Sequence, residues 1–111
     1  MIVRTFEIME RIKKILELLE QSPSDNFLRH VLALEYIKTG NTSEAKWLFE
    51  SILKDSPYYT GSYYHLAKLL ERNGDIENAI VWYKKGMEET KKINDMHTYT
   101  ELQAAYEDLV D

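Results

Sequence analysis

Sliding the chain along itself by 34 residues lays Ser22-Pro23 on Ser56-Pro57, Leu32-Ala33 on Leu66-Ala67, Gly40 on Gly74 and Ala45 on Ala79. Softer matches lie between these: Lys38 with Arg72, Asn41 with Asp75, Phe49 with Tyr83 and Leu53 with Met87. The strictest matches are glycines and small residues, the types required where φ turns positive or two backbones approach closely. The recurrence is therefore one of packing geometry. It restricts a chain of 111 residues, one small domain by length, to a short stack of similar units.

Each unit reads as a helical hairpin. From Asn26 to Thr39 the apolar residues Leu28, Leu32 and Tyr36 recur every four positions, with Val31 and Ala33 beside them. Gly40 supplies the left-handed residue that ends this helix, and Asn41 with Glu44 forms a capping pattern for the next. The second helix carries Ala45, Leu48, Phe49, Ile52 and Leu53 and stops before Pro57. The following unit repeats the scheme with Tyr63, Leu66, Ala67 and Leu70, then Gly74-Asp75, then Ala79, Trp82 and Tyr83. With no proline near Lys91, its second helix is expected to run to about Lys92. On either side, Arg4 to Gln21 carries Phe6, Ile8, Ile12, Ile15, Leu16 and Leu19 at helical spacing, in the place of a second helix from a preceding unit. After Asn94-Asp95, which should cap a new helix, Tyr99, Leu102, Tyr106 and Leu109 recur every three or four residues. About six helices result, the outer two closing a stack whose units cannot bury their apolar faces alone.

The pattern resembles the tetratricopeptide repeat (TPR). In the first repeat the family's small first-helix residue matches Ala33, its aromatic Tyr36, its turn glycine Gly40, its second-helix alanine Ala45, the next aromatic Phe49 and the closing proline Pro57. In the second the matches are Tyr63, Leu66, Ala67, Gly74, Ala79, Tyr83 and Gly86. Arg29, Leu70 and Lys91 depart from it, replacing an aromatic, a tyrosine and the closing proline. The resemblance implies an all-α fold, a right-handed α-solenoid of antiparallel helix hairpins. One domain spans 1–111, with a capping helix at 4–21, repeats at 26–59 and 60–93, and a second capping helix at 95–110.

The resemblance also implies a function, a non-enzymatic protein–protein interaction module that binds a peptide or partner helix in a concave groove lined by first helices. The positions that fall on that groove are Phe27, His30, Val31, Leu34, Ile37 and Lys38 in the first repeat. In the second they are Gly61, Tyr64, His65, Lys68, Glu71 and Arg72. The first helix is thus apolar on two faces, and such a helix is normally covered. The cover is residues 1–6 of the same chain, a second copy pairing as a homodimer, or a foreign helix or peptide. Val31, Leu34 and Tyr64 are the expected anchors, with Lys38, Lys68 and Arg72 at the polar edge. Chaperone-binding members of the family clamp a peptide carboxylate with Lys, Asn and Arg. Here His30, Leu34 and His65 occupy the matching positions, and leucine donates no hydrogen bond, so that ligand is not expected.

Composition narrows the remaining classes. Hydrophobic residues are 44% and charged residues 30%, the balance of an ordered globular chain. Residues 1–87 are neutral, and the net charge of −5 lies entirely between Glu88 and Asp111. There is no concentrated basic face of the kind nucleic-acid binding needs, so the tyrosines Tyr58, Tyr59, Tyr63 and Tyr64 are not read as a stacking platform. The absence of cysteine removes disulfide and thiolate chemistry and suits a reducing compartment. No signal-peptide stretch or membrane span is read, and the expected location is cytoplasmic. His30, His65 and His97 lack carboxylates or cysteines at ligand spacing, so no metal or other cofactor is expected. No phosphate loop or nucleophile signature occurs either.

Overall fold

The computed structural model describes residues 2–111, and the side chains of residues 4–111. They form six helices and, among the described residues, no strand: α1 (Ile2–Gln21), α2 (Asn26–Lys38), α3 (Thr42–Asp55), α4 (Gly61–Arg72), α5 (Ile76–Lys92) and α6 (Met96–Val110). α5 ends at Lys92, as the missing proline predicts. The chain divides into two compact units, Met1–Ile52 and Leu53–Asp111.

In the first unit α1 packs on α2. Ile8 and Ile15, seven residues apart on one side of α1, are buried, as are Leu32 and Ala33 on α2. Ala45, Leu48, Phe49 and Ile52 bury one side of α3. The rings of Phe49 and of His30 from α2 meet edge to face at 5.5 Å between centroids. Asp25 caps α2 by accepting a hydrogen bond from the Leu28 amide at 3.0 Å.

In the second unit α5 packs on both α4 and α6. Tyr63, Leu66 and Ala67 of α4, Ala79 and Tyr83 of α5, and Leu102 of α6 are fully buried. Gly86 lets these helices close, because the space a Cβ would need there is taken by Tyr63 and Leu102. Tyr63 reaches out of this core only through its hydroxyl, which donates to the Pro57 carbonyl at 2.7 Å.

Three turns share one mechanism. Gly40 and Gly74 adopt φ of 81° and 84°, and Asn94 adopts 59°. At each, the left-handed residue's amide bonds back to a helix carbonyl (Ile37, Glu71, Lys91), and the following amide reaches one residue further back (Tyr36, Leu70, Thr90). This is the Schellman arrangement, which satisfies two of the carbonyls a helix end would leave orphaned. In two of the turns the same following residue, Asp75 or Asp95, also caps the next helix through the amide of Asn78 or Thr98. One pair of residues ends one helix and starts another.

Candidate functional site

The outward side of α4 is organised from its core. Tyr63 points inward, so the next residue, turned about 100° around a helix of 3.6 residues per turn, faces out. Tyr64, His65 and Lys68 are half-buried there and Arg72 is exposed. The Tyr64 and His65 rings meet edge to face at 5.7 Å, and the Lys68 ammonium lies 5.9 Å from the Tyr64 ring centroid. Lys68 also pairs with Glu71 at 3.6 Å. The Glu71 carboxylate in turn accepts the hydroxyl of buried Tyr83 from α5 at 2.9 Å. Burial, and then the Glu71 carboxylate, hold the Tyr83 phenol well above its ordinary pKa, so it remains a donor. Lys68 is thus held by an acid that is itself fixed from the core.

His65 has a lowered pKa, first through burial and then through the Arg72 cation, with Glu101 of α6 acting in the opposite sense. It is therefore held toward the neutral state, a hydrogen-bonding ring rather than a cation. At the start of α4, Thr60 donates to the Asp95 carboxylate at 3.0 Å, tying this helix to the cap of α6.

In the first unit the other predicted residues line α2. Phe27 is 65% exposed, and His30, Val31, Leu34 and Ile37 are half-buried. Lys38 pairs with Glu35 at 3.3 Å, and Arg11 of α1 reaches the same oxygen at 3.3 Å. Glu35 is a buried acid, 7% exposed, that joins α1 to α2. Of the suggested cover by residues 1–6, Phe6 is 63% exposed, and residues 1–3 lie outside the described side chains. The unit also holds a cavity of about 560 Å³ above α2, walled by Leu16, Leu19, Leu32, Tyr36, Trp47 and Leu48. Nothing in the repeat pattern indicates it, because its walls come from three helices, α1, α2 and α3.

His97 is largely exposed and lies 4.0 Å from Glu101. Among the described residues no group of three or more His, Cys, Asp or Glu side chains is placed to hold a metal ion. No helix among them is long and apolar enough to cross a membrane.

These hairpins, with their alanine contacts and glycine turns, define a helical-repeat protein. Residues 60–92 match the tetratricopeptide repeat family. The crystal structure of a tetratricopeptide repeat domain protein from Salinibacter ruber is 39% identical, over 77% of this chain and 94% of that one, with a TM-score of 0.72. A solution structure of a tetratricopeptide repeat domain protein from the same organism is likewise 39% identical, over 78% of this chain and 88% of that one, with a TM-score of 0.75. The chain belongs to the tetratricopeptide repeat family. The TPR2B domain of yeast Sti1, in a complex with pHsp70, shares the fold with a TM-score of 0.85, over 97% of this chain and 86% of that one, at 14% identity.

Proposed function

We propose that this chain is a non-enzymatic protein–protein interaction module that takes a peptide or a partner helix on the outward face of a first helix, that of α2 in the first unit or that of α4 in the second. The observation that carries the reading is the α4 array. Four side chains, Tyr64, His65, Lys68 and Arg72, stand together on one side of a helix, and Lys68 is fixed by Glu71, which Tyr83 fixes in turn. Preorganisation of this kind lowers the entropic cost of binding and is what a recognition surface needs. On α2, Phe27, Val31, Leu34 and Ile37 offer apolar contact with Lys38 at the edge and His30 beside them. Membership of a family whose folds generally mediate protein interactions supports the reading, as does the complex formed by the similarly folded Sti1 domain.

A partner segment this chemistry favours is amphipathic, with apolar side chains for Val31 and Leu34 at α2, or an apolar side chain for Tyr64 and an acidic residue for Arg72 at α4. It acts in the cytoplasm, the compartment a chain without cysteine suits. A selection of displayed helical peptides, followed by fluorescence anisotropy, tests it. Leu34→Glu should weaken the peptides seated on α2, and Tyr64→Ala those seated on α4, by about tenfold or more, the effect of losing an interface anchor. Peptides bound equally well by both variants would refute it. Concentration-dependent mass that Leu34→Glu abolishes would instead assign the same strip to homodimerisation.

A further inference from the structure

The two end helices carry complementary faces, and we propose that they join copies of this chain head to tail, α1 of one against α6 of the next. α1 packs on α2 through Ile8 and Ile15, yet a second stripe remains open, with Phe6 63%, Met9 58% and Leu16 42% exposed. Lys13 completes it at spacings of three and four residues, the pattern of a helix face made to meet another helix. Glu10 and Glu17, both exposed, edge the stripe two turns apart.

α6 buries Leu102 and Ala105, and its free side carries Met96, Tyr99, Gln103, Tyr106 and Val110 at the same spacing. Met96 and Val110 are 50% and 47% exposed. Here the edge is basic. Lys91 of α5 stands 5.3 Å from the Tyr99 ring centroid and Lys84 stands 5.7 Å from that of Tyr106. The two lysines are seven residues apart, the separation of Glu10 and Glu17 on α1.

The faces fit in one register. With α1 of the second copy parallel to α6 and each residue beside the one numbered 90 higher, Phe6 meets Met96, Met9 meets Tyr99 and Leu16 meets Tyr106, while Lys13 meets Gln103. The right-handed rotation of both helices then turns Glu10 toward Lys91 and Glu17 toward Lys84. Run antiparallel, the stripes would turn the same two glutamates toward Glu107, where like charges repel. A contact between two different faces is heterologous, so a pair of copies still carries one open α1 face and one open α6 face, and assembly continues from copy to copy.

Sedimentation at low ionic strength tests this with two blocked chains. Leu16→Glu blocks the α1 face, and the pair Lys84→Glu with Lys91→Glu blocks the basic edge of the α6 face. Each is expected to remain a single chain of unchanged helicity, and the two mixed in equal amounts should form a one-to-one pair. The unmodified protein should grow in mass with concentration, less so as salt is raised. Should Leu16→Glu lose helicity, Glu10→Lys with Glu17→Lys replaces it. Those two reversals, placed in one chain with both lysine reversals, should restore assembly. Association by either blocked chain alone, which would mean like faces pairing, overturns the proposal, as does a mixture that remains single chains.

Discussion

Gly86 is the position where local preference and packing oppose each other most directly. It lies inside α5, where alanine is more favourable than glycine by about 1 kcal/mol. A Cβ there would stand 2.7 Å from Tyr63 Cβ, 2.8 Å from Leu102 Cδ1 and 2.9 Å from Tyr63 Cγ. Tyr63 and Leu102 are both fully buried, and Tyr63 is tethered through its hydroxyl to Pro57 at 2.7 Å, so neither side chain has room to swing away. Overfilling a core of this kind costs about 1–3 kcal/mol. Gly86→Ala should therefore destabilise the protein by a net of up to about 2 kcal/mol and lower the melting temperature by up to roughly 10 °C. Trp82, whose ring lies 6.1 Å from that of Tyr63, reports the same region by fluorescence. Gly61→Ala is the control, because a Cβ there meets nothing within 4 Å and the substitution should leave the melting temperature unchanged or raise it. If Gly86→Ala melted at or above the unmodified protein, helix propensity would outweigh packing and the close approach of α4, α5 and α6 would be wrong.

Three further outcomes follow from single contacts. Gly74→Ala places a Cβ at φ of 84° and should cost about 1–2 kcal/mol by urea unfolding, although the site is open. Tyr83→Phe removes the hydroxyl held by Glu71 and should cost about 1 kcal/mol in the same assay. Hydrogen bonding from Thr98, and then from Thr60, holds the Asp95 carboxyl below the ordinary carboxylate range. A folded pKa below the unfolded one contributes stability at neutral pH that is lost as pH falls through the folded value. Asp95→Asn keeps a capping oxygen but cannot titrate, so its stability should fall less steeply than that of the unmodified protein below about pH 4, measured by denaturant midpoints across an acid series.

The repeat was legible because alanine and glycine mark the positions where geometry leaves no choice. Gly40 and Gly74 read directly as left-handed helix ends, and both are. Asn94 was read only as part of a helix cap, yet it makes the same turn at φ of 59°, since asparagine is among the few other residues that tolerate that conformation. Glu35 gave no signal at all. It stands between Leu34 and Tyr36 on a helix read for its apolar faces, and the cation that meets it from another helix, Arg11, is 24 residues away. Glu71 was read only as a groove position beside Lys68 and Arg72, while the bond that fixes it comes from Tyr83, twelve residues later. Spacing within one helix is visible in a sequence, whereas which charged residue is drawn under a neighbouring helix is decided by packing. The exposed stripes on α1 and α6 lie between these cases, since their periodicity is written in the sequence and their exposure is not.

Backbone amide chemical-shift mapping with a selected amphipathic peptide tests the central claim most directly. The account predicts that the perturbed amides cluster on α2 around Val31 and Leu34, or on α4 around Tyr64, Lys68 and Arg72, and that Tyr64→Ala erases the α4 set. Perturbations confined to α3 and α5, around Trp47 and Val81, would contradict it and move recognition to the second helix of each hairpin.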